Sequence, residues 1–193
     1  MLQRDSDMPE RAGMRFEETV LKGAWLVAPE PIHDDRGFFA RSFCVEEFGQ
    51  RGLETKFVQH SLSFSRKRYT LRGIHFQRPP HAEVKIVSCS QGAIFDVIVD
   101  LRPDSSTYRQ WVGFELTMQN RFQLYVPKGF AHGHQTLVDD TTVAYLISEF
   151  HIPAAASGIR YDDPSLAIDW PAPPSILSDS DRKWPPLEPA GTA

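Results

Sequence analysis

The sequence is poor in cysteine and has no long apolar run, and each absence excludes a class of protein. Its 193 residues contain two cysteines, Cys44 and Cys89, which are too few for a disulfide framework. No apolar stretch approaches the roughly 18 residues of a membrane-spanning helix, and no apolar signal segment precedes a cleavage site. We therefore expect a cytoplasmic protein that does not enter a membrane.

Positive charge is not in excess either. Lys and Arg number 21 and Asp and Glu 25, so the formal net charge is −4. Non-specific binding to nucleic acid needs a clustered excess of cations, so this balance argues against nucleic acid as the main partner. The length predicts one domain. We assign it to residues 14–187, including a proline-rich C-terminal strap that begins at Pro171, with a tail at 1–13 and a frayed end at 188–193.

Between the two ends, apolar residues recur with a period of two, which is typical of strands. Every odd position of residues 93–101 is apolar, whereas Asp96 and Asp100 fall on the other face. Residues 141–147 are rich in β-branched and aromatic side chains, and only residues 45–49 resemble a helical turn. Many short strands with almost no helix predict an all-β jelly-roll barrel.

Reactive side chains concentrate in three places, which are residues 71–85, residues 127–134 and Tyr145. Alternate residues of a strand share a face, so His75 is expected beside Gln77, and His132 beside His134. Polar residues that point one way from otherwise apolar strands indicate a lined cavity inside the barrel.

Several of these residues belong to motifs that occur in the same order in one known family. The motifs are DRGFF (35–39), RGIHFQ (72–77), FDVIVDLR (95–102), GFAHG (129–133), IDWP (168–171) and LSDSD (177–181). The pattern Pro127-x-Gly129-x-x-His132 is also similar to the second cupin motif. Together they resemble the dTDP-4-dehydrorhamnose 3,5-epimerase family over roughly residues 14–187.

The resemblance implies a cupin jelly roll that forms a homodimer, acts on a nucleotide-linked 4-keto-6-deoxyhexose, and uses neither metal nor cofactor. It implies His75 as the catalytic base, oriented by the carboxylate of Asp181. Tyr145 is the implied acid on the opposite face of the sugar, and Lys85 lies beside the keto oxygen. The residues implied to bind the substrate are Arg36, Phe39, Gln59, Ser61, Arg72, His132 and His151.

Elementary chemistry makes these roles reasonable. A 4-keto group acidifies the C–H bonds at C3 and C5, because the resulting carbanion delocalises into an enolate. Histidine is suited to remove such a proton near pH 7, and a carboxylate on its other nitrogen stabilises the imidazolium. The enolate needs a positive partner, and inversion needs a proton donor on the other face. An ammonium and a tyrosine hydroxyl meet these needs.

Other functions remain open at this stage. The enzyme could invert C3 alone, or the chain could bind a sugar nucleotide without catalysis. His75, Gln77, Glu83 and His132 approximate the ligand set of metal-dependent cupin dioxygenases and isomerases, although an amide oxygen is a poor ligand for iron or zinc.

The nucleotide is a separate question, because several positions depart from the family pattern. His151 stands where the family has a stacking tyrosine, Ala156 where it has a glutamate, and Ser180 where it has a lysine. Arg41 replaces a glutamate and is a candidate substitute cation for a phosphate. The family resemblance implies dTDP-4-keto-6-deoxyglucose as the substrate, and stacking by Phe150 would preserve dTDP. The differences leave a GDP, CDP or UDP sugar, or another keto sugar, as the alternative.

Overall fold

The computed structural model describes residues 13–187. The predicted frayed end and all but one residue of the predicted tail lie outside this range. The strands are β1 Met14–Glu18, β2 Trp25–Pro29, β3 Ile32–Asp34, β4 Gly37–Phe39, β5 Gln59–Ser65, β6 Leu71–Gln77, β7 Lys85–Gln91, β8 Ala93–Asp100, β9 Trp111–Thr117, β10 Gln123–Val126, β11 Phe130–Thr136, β12 Thr141–Ile147 and β13 Ala156–Gly158. The helices are α1 Val45–Gly49 and α2 Asp179–Arg182. Neither helix of this described part is long and apolar enough to cross a membrane.

Two antiparallel sheets form the barrel. One has the strand order β1-β2-β10-β7-β12-β5, and the other has the order β13-β6-β11-β8-β9. A short hairpin of β3 and β4 stands apart from both sheets. The non-sequential order within each sheet is the jelly-roll arrangement, so the predicted fold class is confirmed.

The core lies between the two sheets and explains why the period-two pattern is visible. Val87 and Val143 of one sheet pack in the same apolar cluster as Ile98 and Leu116 of the other, and all four are buried. The predicted strands at 93–101 and 141–147 correspond to β8 and β12.

The other face of β8 is buried as well, since residues beyond β13 cover it. Val97 and Val99 pack there against Ile159 and Leu166. Strand β8 is therefore buried on both faces, and Asp96 is fully buried inside the protein.

The proline-rich strap is held against the edge of β6 and β11. The backbone N–H of Leu71 donates to the carbonyl of Ile176 at 3.0 Å. The side-chain amide of Gln135 makes two hydrogen bonds with the backbone of Ala172. These contacts bring α2 next to β6, and Ser178 caps this helix by accepting from the Asp181 N–H. Sequence reasoning missed α2 because four residues are too few to show a helical period.

Candidate active site

A cavity of about 620 Å³ opens between the two sheets beside the strap. All four residues predicted to be catalytic line it, and so do three of those predicted to bind substrate. These seven residues are His75, Asp181, Tyr145, Lys85, Ser61, Arg72 and His132. The barrel therefore gathers residues from β5, β6, β7, β11, β12 and α2 around one space.

The wall formed by β6 carries a histidine–carboxylate pair. His75 Nε2 lies 2.5 Å from Oδ1 of Asp181, whose side chain is almost completely buried. Burial opposes ionisation of Asp181, but the hydrogen bond and charge of His75 outweigh it and hold the pKa below its usual value. The indole N–H of Trp184 also donates to Oδ1. Asp181 thus fixes the orientation of the imidazole and leaves Nδ1 of His75 available.

Tyr145 comes from β12, in the sheet opposite to the one that carries His75. Its hydroxyl lies 3.2 Å from Oγ of Ser63 on the neighbouring strand β5. Burial raises the pKa of Tyr145 far above its usual value, so the phenol keeps its proton at neutral pH. A proton acceptor and a proton donor therefore belong to opposite walls of the cavity.

Lys85 begins β7, and a carboxylate holds its ammonium in place. Nζ of Lys85 lies 2.8 Å from Oε1 of Glu83, and both side chains are nearly buried. The second oxygen of Glu83 accepts from the amide of Gln77 at 2.8 Å. Gln77 in turn binds the backbone of Phe150 and Ile152. This chain of contacts presents one positive charge to the cavity.

A second histidine–carboxylate pair lies behind the first. His132 of β11 is opposite His75 in the register of the sheet, and its Nε2 lies 2.7 Å from Oδ1 of Asp96. Sequence reasoning placed Asp96 on a polar face and gave it no role. A carboxylate within an otherwise apolar strand was the signal that could have revealed it, because buried charges are almost always paired.

Two glycines let these strands approach closely. A Cβ atom at Gly73 would lie 2.6 Å from the Cα of Gly133, and the φ of Gly73 is +126°. Any larger residue at either position would push β6 away from β11. The adjacent placement of His75 and His132 depends on this contact.

Arg72 is the guanidinium that faces the cavity. Its Nε donates to Oγ of Ser65 at 3.2 Å, and Nη2 donates to the carbonyl of Phe64 at 3.0 Å. These two hydrogen bonds to β5 hold the guanidinium of Arg72 in a fixed position. Its fork geometry is well suited to binding an anionic group.

Four of the predicted substrate residues are not among those lining the cavity. Gln59 Oε1 accepts from the backbone N–H of His151 at 3.0 Å, at the end of β5. Arg36 pairs with Asp34 on the β3–β4 hairpin, and 90% of its side chain is exposed. Phe39 on the same hairpin is 68% exposed. The cavity of a single chain therefore does not account for the substrate roles expected of these four residues.

The structure also bears on two further interpretations of the sequence. Nη1 of Arg41 lies 3.1 Å from Oε1 of Glu47, and Arg41 is not among the residues that line the cavity of its own chain, so its role as a substitute cation stays a prediction. The cupin-type metal set is not assembled among residues 13–187, since His75, Glu83 and His132 do not converge there and Glu83 binds Lys85 and Gln77 instead. Ser180, in contrast, lines the cavity from α2.

Together, the jelly roll and the cavity that it encloses define a cupin-fold epimerase. Residues 18–189 match the model of the family described as dTDP-4-dehydrorhamnose 3,5-epimerase, and the chain belongs to this family. The fold expected from the sequence and the expected family membership are both confirmed.

Known proteins of this family are similar to this chain over nearly its whole length. A dTDP-4-dehydrorhamnose 3,5-epimerase of Methanothermobacter thermautotrophicus is 44% identical over 91% of this chain and 96% of its own length. A dTDP-4-dehydrorhamnose 3-epimerase of Streptomyces niveus is 39% identical, over 88% of this chain and 82% of its own. The crystal structure of the Bacillus anthracis 3,5-epimerase with TDP and pyrophosphate bound superposes with a TM-score of 0.88 at 46% identity. The match covers 91% of this chain and 100% of the Bacillus anthracis chain.

Proposed function

We propose that this chain is a dTDP-4-dehydrorhamnose 3,5-epimerase, which converts dTDP-4-keto-6-deoxyglucose into dTDP-4-keto-rhamnose. The observation that carries the proposal is the pairing of the His75–Asp181 dyad with a protonated Tyr145 across one cavity. Family membership supplies the substrate class, and the site supplies the two groups that an inversion needs.

In the first half of each inversion, His75 removes the proton next to the keto group. The electron pair of the broken C–H bond moves into the enolate, and its negative oxygen is stabilised by the ammonium of Lys85. The proton remains on the imidazole, and the negative charge of Asp181 at 2.5 Å stabilises the imidazolium.

In the second half, the carbon receives a proton from the other face. Tyr145 donates its hydroxyl proton and becomes a phenolate beside the Ser63 hydroxyl, 3.2 Å away. The keto group is restored, so the sugar neither gains nor loses electrons. His75 releases its proton and Tyr145 regains one by exchange with solvent before the next inversion.

The nucleotide part of the substrate is proposed to be a deoxythymidine diphosphate. The guanidinium of Arg72 provides a fixed cation for the diphosphate, and Ser61 and His132 provide polar contacts in the same cavity. The Bacillus anthracis relative, which carries TDP, supports this choice. Calorimetric titration with dTDP, UDP, GDP and CDP tests it, and tighter binding of any of the other three would contradict it.

Deuterium incorporation from heavy water tests the reaction itself. The wild-type enzyme is expected to place deuterium at both C3 and C5 without added metal, and His75→Ala is expected to abolish this uptake. One deuteron per product would instead indicate a 3-epimerase, like the Streptomyces niveus relative. Unchanged turnover in His75→Ala would contradict the whole mechanism.

The proposed assembly is a homodimer in which the β3–β4 hairpin of each protomer completes the other's cavity. This arrangement would explain why Arg36 and Phe39 are exposed in one chain although the family resemblance assigns them to the substrate. An apolar surface for such contact exists on the edge strand β5, where Leu62 and Phe64 are 73% and 50% exposed.

Light scattering of the purified protein tests this assembly. Phe64→Lys is expected to yield monomers with reduced activity, whereas Val20→Lys, at a position exposed to 76%, serves as the control. A wild-type monomer at micromolar concentration would refute the homodimer.

The proposed location is the cytoplasm, where nucleotide-linked sugars are made from nucleoside triphosphates. Cell fractionation of the producing organism, with antibodies against this chain, tests the location.

A further inference from the structure

Three buried side chains inside the barrel form a cluster to which the epimerase mechanism gives no role as a unit. They are Asp96 of β8 and His132 and His134 of β11. One ligand atom from each residue lies within 4.8 Å of the other two. His134 is directly opposite Asp96 in the register of the sheet, so two neighbouring strands hold all three residues rigidly.

The cluster contains two buried polar atoms without a hydrogen-bond partner among residues 13–187. These atoms are Oδ2 of Asp96 and Nε2 of His134, which belong to side chains that are 0% and 1% exposed. Leaving such atoms unpaired is costly, so native proteins rarely tolerate them without a ligand or a water molecule. Both atoms belong to residue types that bind metal ions.

We propose that Asp96, His132 and His134 form a binding site for a divalent first-row transition metal ion, with zinc as the reference ion. Two imidazoles and one carboxylate are a common protein ligand set for such ions, and a fourth position stays open. His132 and His134 both line the cavity, so the proposed site adjoins it. The ion replaces the proton that His132 now shares with Asp96.

The electrostatic surroundings suit neutral imidazole ligands and one anionic ligand. Nε2 of His134 has no hydrogen-bond partner among the described residues, so it is available as a ligand atom. Asp96 provides the negative charge. Arg72 and Lys85 line the same cavity and repel a cation, so we expect binding weaker than in a structural zinc site.

Metal binding and substrate binding should exclude each other. This consequence rests on the proposed function, in which His132 contacts the nucleotide sugar. An ion bound to His132 occupies the imidazole that would otherwise contact the nucleotide sugar, and it adds positive charge to the cavity. The metal is therefore an inhibitor of the epimerase and has no part in its chemistry.

Binding is measured directly, with the full-length protein after removal of bound metal by a chelator. Zinc titration by calorimetry and cobalt absorption spectra are expected to show one ion per chain. His134→Gln is expected to weaken binding at least about tenfold, because even outer partners of metal ligands contribute 10–100-fold. His60→Gln, at an exposed position on β5, is the matched control and should bind like wild type.

The variants also distinguish this site from the ligand set that metal-dependent cupins use. His75→Gln should retain the ion, since His75 lies outside the proposed cluster. Loss of binding in His75→Gln with full binding in His134→Gln would overturn the assignment. Absence of any bound zinc or cobalt in the wild type would overturn it as well, and would leave a bridging water as the partner of the two unpaired atoms.

A separate activity measurement distinguishes failure of this proposal from failure of the proposed function. Zinc is expected to raise the apparent KM of the wild-type epimerase, and to have at least about tenfold less effect on His134→Gln. Equal inhibition of both would contradict the competition. If the wild type shows no epimerase activity, the binding measurements still decide whether the metal site exists.

Discussion

The contact between His75 and Asp181 gives the sharpest test of the proposed mechanism. Asp181→Asn keeps the shape of the side chain and the cap of α2, but it removes the negative charge 2.5 Å from Nε2 of His75. The amide can also present its NH₂ group to the imidazole. The proton of His75 then moves to Nδ1, the nitrogen that the mechanism requires to be free.

The size of the effect follows from the hydrogen bond that is lost. A hydrogen bond to a charged group contributes about 1.5–3 kcal/mol, and here it strengthens as the imidazolium forms. Since 1.36 kcal/mol corresponds to a tenfold change in rate, kcat should fall about 10- to 150-fold. KM should change little, because the interaction develops mainly in the transition state.

The assay compares kcat and KM of Asp181→Asn with those of Asp179→Asn, which makes the same change of charge at an exposed position of the same helix. A kcat for Asp181→Asn within about twofold of wild type would refute the reasoning, since it lies far outside the expected loss. Stability provides a second measurement. The pKa of Asp181 is lowered by folding, so its charge stabilises the protein above its unfolded pKa, and this contribution disappears as the pH falls. The stability difference between wild type and Asp181→Asn should therefore shrink in acid.

Three further predictions follow from other contacts. Tyr145→Phe should reduce epimerised product far more than hydrogen exchange, because it removes the proton donor and leaves the base; equal losses in NMR measurements would contradict this. Glu83→Gln should lower kcat about 5- to 30-fold, because an amide can accept a hydrogen bond on one side only and Lys85 loses its partner. Partial rescue by Glu83→Asp is expected, and unchanged kinetics in Glu83→Gln would show that the contact has no role. Asp100 is held by Arg102 and two hydroxyls, which outweigh burial and lower its pKa to about 2. Asp100→Asn should reduce the free energy of unfolding by about 2 kcal/mol at pH 7, and a difference that did not shrink between pH 4 and pH 2 in denaturant titrations would contradict this origin.

The strands of the barrel were readable from the sequence because their cause is local. Alternation of apolar and polar residues, together with β-branched side chains, predicts β12 at Thr141–Ile147 without knowledge of any partner strand. The same reasoning located α1 at Val45–Gly49 but missed α2, which has four residues. The family resemblance was also readable from the sequence, because each of its motifs, such as RGIHFQ and GFAHG, lies within one continuous stretch of the chain.

Partners that are distant in the sequence were decided by the tertiary structure. His75 and Asp181 are separated by 106 positions, and the family resemblance suggested their pairing without giving a distance. The sequence showed a carboxylate within an apolar strand but not that Asp96 would meet His132 and His134, because that contact depends on the pairing of β8 with β11. The exposure of Arg36 was equally invisible, since it depends on where a hairpin projects from the barrel. Local preferences are set by neighbours in the chain, whereas the chemistry of the cavity arises where sheets and strap meet.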